Sequence, residues 1–319
     1  MELFPDKNKI SEAFSRVNNF IHRTPVLTSQ NLNQLTGGSL FFKCENFQKT
    51  GSFKIRGAVN TVFSLSEDQL LNGVATHSSG NHAQALSYAA RLRKIPAYIV
   101  MPHTSARPKV AAVQNYGGII RFCEPNLVSR EKTLGKVILE TNAIEIHPYN
   151  NYSIIAGQAT AALELIEDVK QKLDIIIAPV GGGGLLSGTA LATNYFSPGT
   201  KVIAAEPENA DDAFLSFKAG YIIPAPEKPS TIADGLLTSL GSLTFPVIKQ
   251  YVNDIVTVND EEIISAMKLI WERMKIIVEP SSAVPFAAIL NGKIDVKGKN
   301  VGIILSGGNI DLQTIPWMR

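Results

Sequence analysis

Lys49-Thr50-Gly51-Ser52-Phe53-Lys54-Ile55-Arg56-Gly57 places a turn, a helix start and a buried-looking lysine side by side. Gly51 permits a tight turn. Ser52 is a good N-cap, and Ile55, Val59, Val62 and Phe63 follow at helical spacing. Lys54 then falls in the first turn of a helix, where the positive end of the dipole disfavours an ammonium. Burial beside Phe53 disfavours it further, so the neutral amine gains weight. A lysine with a depressed pKa suits Schiff-base formation with an aldehyde cofactor. The segment alone fits a surface lysine on an ordinary amphipathic helix better, and the rest of the chain shifts the balance.

Outward from this stretch, strands and helices alternate. Strands are expected at 40–44, 74–76, 97–101, 118–123, 143–147, 174–180, 201–205, 254–258 and 301–305. Between and around them lie expected helices at 9–21, 83–93, 106–116, 127–141, 154–172, 185–195, one running to 274, and 280–290. The alternation predicts an α/β protein with parallel sheets. The continuous apolar run at 174–180 belongs in the middle of such a sheet. There is no internal repeat and no low-complexity linker.

Composition narrows the function classes. The chain has 319 residues, 45% hydrophobic and 18% charged, which is globular and sufficient for a large core. A formal net charge of +2, with basic residues scattered, gives no reason to expect a nucleic-acid or membrane partner. Cys44 and Cys123 are the two cysteines and have no metal-like spacing, which fits a reducing compartment. The first residues lack an apolar signal core, so a cytoplasmic protein is expected.

Three loops follow strands and carry chemistry. His77-Ser78-Ser79-Gly80-Asn81-His82 offers hydroxyls and backbone N–H groups to an anion such as a carboxylate, or else a polar helix cap. Val180-Gly181-Gly182-Gly183-Gly184-Leu185-Leu186-Ser187-Gly188 puts four glycines between a buried strand and a helix start, a phosphate cup. It is not a dinucleotide fingerprint, which needs glycine where Leu186 or Ser187 stands, nor a P-loop, which needs lysine where Thr189 stands. Leu305-Ser306-Gly307-Gly308-Asn309 ends a third strand with a serine, whose hydroxyl suits a ring nitrogen. A neutral partner leaves that nitrogen unprotonated and the ring a moderate electron sink, better suited to β-elimination or replacement than to a fully delocalised carbanion.

Together these stretches resemble the serine/threonine dehydratase family of fold-type II pyridoxal-phosphate (PLP) enzymes, and within it the serine racemase branch. The resemblance runs from about Thr24 to Leu312 and includes Phe41-Phe42-Lys43-Cys44-Glu45, Ala204-Ala205-Glu206-Pro207, Asn209-Ala210-Asp211-Asp212, Ile232-Ala233-Asp234-Gly235 and Glu279-Pro280. It implies that Lys54 carries the cofactor and takes the Cα proton, with Phe53 behind the ring and Asn81 on the phenolic oxygen. Gly181, Gly182, Gly183, Gly184 and Leu185 would hold the phosphate, Ser306 would face the pyridine nitrogen, and Gly235 would border the ring. Ser78, Ser79, Asn81 and His82 would hold the substrate carboxylate, with Arg130 closing over it. Ser79 would be a second base on the face opposite Lys54. Glu206, Asp212 and the Ala210 carbonyl would bind Mg2+ or Ca2+, hard cations that suit oxygen ligands. Spacing alone reads Glu206 and Asp212 as solvated surface. Lys49, Thr50, Gln84 and Tyr116 match positions that contact an activating ATP. The branch's mammalian members have asparagine where this chain has Tyr149.

The resemblance thus implies a tryptophan synthase β-like α/β fold of two parallel-sheet domains with the active site in the cleft. Residues 1–73 and 149–319 would form a large cofactor domain, and 74–148 a small mobile one. The expected activity is β-elimination of water from L-serine or L-threonine, with serine racemisation at the same site and 3-hydroxyaspartate dehydration as an alternative. The partner is a small amino acid, and a homodimer is implied. With the sequence running to Arg319, feedback regulation through the C-terminal domain of biosynthetic threonine dehydratases is not expected. Two other classes also suit an α/β chain with glycine loops. A nucleotide-dependent oxidoreductase lacks its fingerprint here, and a non-catalytic binding protein would be colourless.

Overall fold

The computed structural model describes residues 4–226 and 229–318. Ten strands form two sheets: β1 (Val26–Leu27), β2 (Ser39–Cys44), β3 (Val74–His77), β4 (Ala97–Pro102), β5 (Ile119–Cys123), β6 (Ile144–Glu145), β7 (Ile175–Pro179), β8 (Lys201–Pro207), β9 (Asp254–Val258) and β10 (Asn300–Leu305). The larger sheet has the order β1-β2-β10-β7-β8-β9, the smaller β5-β4-β3-β6. Every pairing is parallel except β1 with β2, so the α/β expectation holds.

The helices are α1 (Lys7–Val17), α2 (Gln30–Thr36), α3 (Lys54–Ser64), α4 (Glu67–Leu70), α5 (Asn81–Arg93), α6 (Arg107–Asn115), α7 (Leu127–Thr141), α8 (Tyr152–Asp168), α9 (Gly184–Phe196), α10 (Asp212–Ala219), α11 (Thr244–Tyr251), α12 (Asp260–Met274) and α13 (Pro280–Leu290). The core explains why β7 reads as unbroken apolar sequence. Ile175 and Ile177 face a cluster built with Met267 of α12 and Phe286 of α13. Ile176 and Ala178 face the other side, against Ile155 and Ala159 of α8 and Leu186 of α9. Side chains alternate with period two, and here both faces are covered.

The smaller sheet is packed the same way. Val74, Ile99 and Met101 meet Leu86 of α5 on one face, while Ala75 and Val100 meet Leu134 and Val137 of α7 on the other. Ile55, Ala58, Val59 and Val62 of α3 join the first of these clusters. Helix α3 therefore joins the core of the smaller sheet by packing against α5, although its residues precede 74.

Several local expectations are corrected. The strand expected at 143–147 is cut to Ile144–Glu145, because the chain turns away ahead of Pro148. The helix expected at 154–172 begins at Tyr152, where Asn151 caps the N–H groups of Ser153 and Ile154, and ends at Asp168. Helices α2, α4, α10 and α11 were not read from the sequence. Among the described residues, no helix is long and apolar enough to cross a membrane.

Candidate active site

Lys54 is the first residue of α3, as expected, but Ser52 is not its cap. Phe53 stands at the N-cap and makes no capping side-chain bond. Ser52 is extended (φ −162°, ψ 161°), pairs with Gly307 as an isolated bridge, and has a buried hydroxyl without a hydrogen-bond partner among the described residues. The turn before it is left-handed at Thr50 (φ 63°) and Gly51 (φ 71°). A Cβ on Gly51 would overlap the Asn309 side chain, so glycine is required on both counts. The Phe53 N–H donates to the Ser306 carbonyl (3.0 Å). The lysine segment and the β10 loop are thus one continuous surface.

Lys54 Nζ donates to the Pro148 carbonyl at 3.1 Å. The residue keeps some accessible surface, yet enough protein surrounds the amine that burial lowers its pKa to about 8, with Glu279 acting in the opposite direction. The expectation of a lowered lysine pKa is met, and at about 8 the ammonium form still predominates at neutral pH.

The serine loop follows β3. Ser78 Oγ accepts from the Gly80 N–H (3.3 Å), and no hydrogen bond joins Ser79 to Lys54. Asn81 is engaged at both ends: Nδ2 donates to Glu279 Oε1 (2.8 Å) and Oδ1 accepts from Asn309 Nδ2 (2.9 Å). Glu279 is buried and its carboxyl is pushed up by burial, with the neighbouring Lys109 opposing. Lys109 pairs with Asp234 at 2.5 Å. His82 Nε2 donates to the Ile146 carbonyl (3.1 Å), leaving Nδ1 buried and unpartnered among the described residues. Its pKa falls to about 3, first by burial and then by the Lys54 charge. His77 and His147 pack edge to face (6.2 Å) and are each lowered to about 4, mainly by burial. Arg130 lies on α7, and its charge acts on His77. Its Nε is buried without a partner among the described residues.

The glycine loop lies between β7 and α9. Gly183 is left-handed (φ +87°), and a Cβ there would press on Thr244, whose hydroxyl donates to the Gly182 carbonyl (2.9 Å). A Cβ on Gly182 would overlap the Tyr149 ring, and one on Gly184 would stand 2.9 Å from Tyr149 Cβ. The N–H groups of Gly181, Gly182 and Gly183 have no partner among the described residues, and those of Gly184, Leu185 and Leu186 open α9. This is a cradle of unpaired donors at a positive helix end, which fits a phosphate. Gly235 contributes differently, since its N–H donates to Ser281 Oγ (3.0 Å). Ser306, at the end of β10, is buried. The PLP group therefore fits the residues present.

Glu206 and Asp212 are fully buried, which overturns the solvated reading from spacing. Glu206 ends β8 and accepts from the Ala213 (3.1 Å) and Phe214 (2.8 Å) N–H groups in the first turn of α10. Both Asp212 oxygens lack a hydrogen-bond partner at ordinary geometry among the described residues. Burial raises Glu206 to about 9 and Asp212 to about 7. Buried, unpartnered carboxylate oxygens fit a hard cation. No cluster of three or more His, Cys, Asp or Glu side chains is placed to hold a metal among the described residues, so backbone carbonyls would have to complete the set.

Glu279, Asn309 and Lys109 belong to the site although the sequence alone assigns them no role. The signal was available for two of them, in the Glu279-Pro280 helix start and the Asn309 that ends the third loop.

Comparison with known proteins agrees with this geometry. A family model described as pyridoxal-phosphate dependent enzyme matches residues 17–307. A β-hydroxyaspartate dehydratase of Paracoccus denitrificans (strain Pd 1222) is 54% identical over 313 residues, 98% of this chain and 99% of that protein. The structure of maize serine racemase superposes with a TM-score of 0.95 at 46% identity, covering 99% of this chain and 97% of its own. The processed form of threonine deaminase isoform 2 from Solanum lycopersicum gives 0.88 at 30% identity, covering 97% and 92%.

Proposed function

The chain belongs to the pyridoxal-phosphate dependent enzyme family, as an enzyme of its lyase and racemase type, and on that premise we propose that it eliminates water from L-serine and L-threonine and also racemises serine. The observation that carries this reading is the Lys54 amine, poised near neutral pKa at the start of α3 beside an unpaired phosphate cradle. Bound PLP supplies an electron sink that makes the substrate Cα proton removable. Lys54 holds the cofactor and moves the Cα proton from one face. Ser79 stands as the second base, on the opposite face. Two bases allow inversion, whereas one allows elimination alone. Gly181 to Gly184 and Leu185 bind the phosphate, Phe53 backs the ring, Gly235 borders it, Asn81 orients the phenolic oxygen and Ser306 faces the ring nitrogen.

Ser78, Asn81, His82 and Arg130 orient the substrate carboxylate. The unit built on the smaller sheet, residues 74–148, closes over the substrate and excludes water. Glu206, Asp212 and the Ala210 carbonyl hold Mg2+ or Ca2+. Lys49, Thr50, Gln84 and Tyr116 form the site of an ATP activator, and the enzyme works as a cytoplasmic homodimer. Buried Gln84 Nε2 and Thr50 Oγ1, both without partners among the described residues, support a polar ligand there.

Dehydration of 3-hydroxyaspartate is the second reading, favoured by the Paracoccus relative. The test incubates the holoenzyme and Ser79→Ala with L-serine, and separately with 3-hydroxyaspartate. Pyruvate from both proteins, with D-serine from the native one only, is the expected result. Oxaloacetate from 3-hydroxyaspartate, without pyruvate from serine, would replace the first reading by the second.

A further inference from the structure

Behind the site lies a group of four buried charges, which reaches the partly exposed Asp168–Arg23 pair through Lys43 (Nζ to Asp168 Oδ2, 3.5 Å) and Phe53 through the Arg56 backbone N–H (3.0 Å to the Phe53 carbonyl). Arg56 uses all five guanidinium N–H donors. Nε and Nη2 grip Glu45 (2.7 and 2.7 Å), Nη1 and Nη2 grip Glu164 (2.8 and 2.8 Å), and Nη1 also reaches Thr160 Oγ1 (3.1 Å). Lys43 Nζ meets Glu164 (2.7 Å) and the Thr24 carbonyl (2.7 Å), and Thr24 Oγ1 donates to Glu45 (2.6 Å). Lys43, Glu45, Arg56 and Glu164 each have 0% exposure, so two cations face two carboxylates away from bulk solvent.

Stability alone does not account for such a group, because apolar replacements of buried ion pairs are often neutral or stabilising. Direction does. Two bidentate forks hold the guanidinium in one plane and one rotamer. Arg56 is the third residue of α3 and Lys54 the first, so at about 100° per residue they project from nearly opposite sides of the helix. Beneath Arg56, α3 lies directly on α8. A Cβ on Gly157 would come 2.6 Å from Gly57 Cα and 2.7 Å from the Arg56 carbonyl. Thr160 and Glu164 are on the same face of α8, one and two turns beyond Gly157.

We propose that Arg56 is a positioning residue, which clamps the first turn of α3 to Glu45 and Glu164 so that Lys54 is aimed at the cofactor aldehyde. The inference rests on the reading of Lys54 as the cofactor lysine. The test removes and restores PLP in the whole chain and measures how fast borohydride-trappable cofactor appears on Lys54, located by peptide mass spectrometry, alongside cofactor affinity and Tm. Arg56→Lys keeps the charge and loses both forks. Its trapping rate should fall about 10- to 100-fold while phosphate-held cofactor still binds within a few-fold of native affinity, since misplacing a reacting group by about 1 Å costs on this order. Glu45→Gln, which keeps the Glu164 fork, should show a smaller fall and carries the test if Arg56→Lys does not fold. Native trapping rates in the folded variants, even with a lower Tm, would reduce the network to a structural role and overturn the inference. No trapping at Lys54 in the native protein would sink the reading of Lys54 itself, and this inference with it.

Discussion

Gly182 and Gly184 turn their missing side chains toward Tyr149, not toward the phosphate cradle. The sequence reading took four glycines as leave for a ligand to approach the backbone. The structure adds that protein closes the loop from behind, which no local pattern could reveal because Tyr149 lies far away in the chain. Gly182→Ala should therefore press on the ring and cost about 1–3 kcal/mol in overpacking. Titration of the variant with PLP should show at least about tenfold weaker binding, because the loop N–H groups shift with the backbone. Unchanged affinity would mean that Tyr149 yields and the cup does not depend on it. Lys54 shows the opposite case. Its lowered pKa is legible, since burial, the cause that lowers it, is signalled locally by its apolar neighbour Phe53.

At the scale of elements, long periodic segments are legible in the sequence and helices of eight residues or fewer are not. Helix α7 was placed to the residue, because Asn126 caps it and Asn142 ends it in a left-handed turn. Helix α10 was missed because it has no capping side chain; its first turn is capped instead by Glu206 at the end of β8. That strand–helix junction buries two carboxylates, and burial is a tertiary fact that spacing cannot carry. Mg2+ at a hundredfold excess over its Kd should stabilise the folded protein by about 2.7 kcal/mol. Asp212→Asn should lose most of this gain, as should the native protein after chelation. Equal Tm gains in native and variant protein would remove Asp212 from the cation site.

For the whole molecule, His77, His82 and His147 gather where the smaller sheet meets the site, His82 buried and the other two half-buried, and all are lowered, first by burial. Unfolded histidines take up protons below about 6.5, whereas these resist until about 4, 3 and 4. The unfolded state therefore binds more protons in that window, so stability should fall as pH drops from 6.5 toward 4. Tm measured across this range should fall less steeply in His82→Asn than in the native protein; parallel curves would show that carboxylates alone set the acid limit. The same scale exposes the hardest thing to read from a sequence, which is strand order. β10 comes last among the strands yet lies between β2 and β7, in the middle of the larger sheet. A ribosome making this protein can release the smaller sheet as one contiguous piece, since its strands span 74 to 145. The larger sheet must wait with a gap at its centre until residue 305 has left the exit tunnel. During that interval β2 and β7 each keep one unpaired edge within a half-made protein, and a messenger cut short before β10 would yield a chain with Lys54 and the glycine loop but without Ser306, Asn309 or the strand that joins the two halves of the sheet.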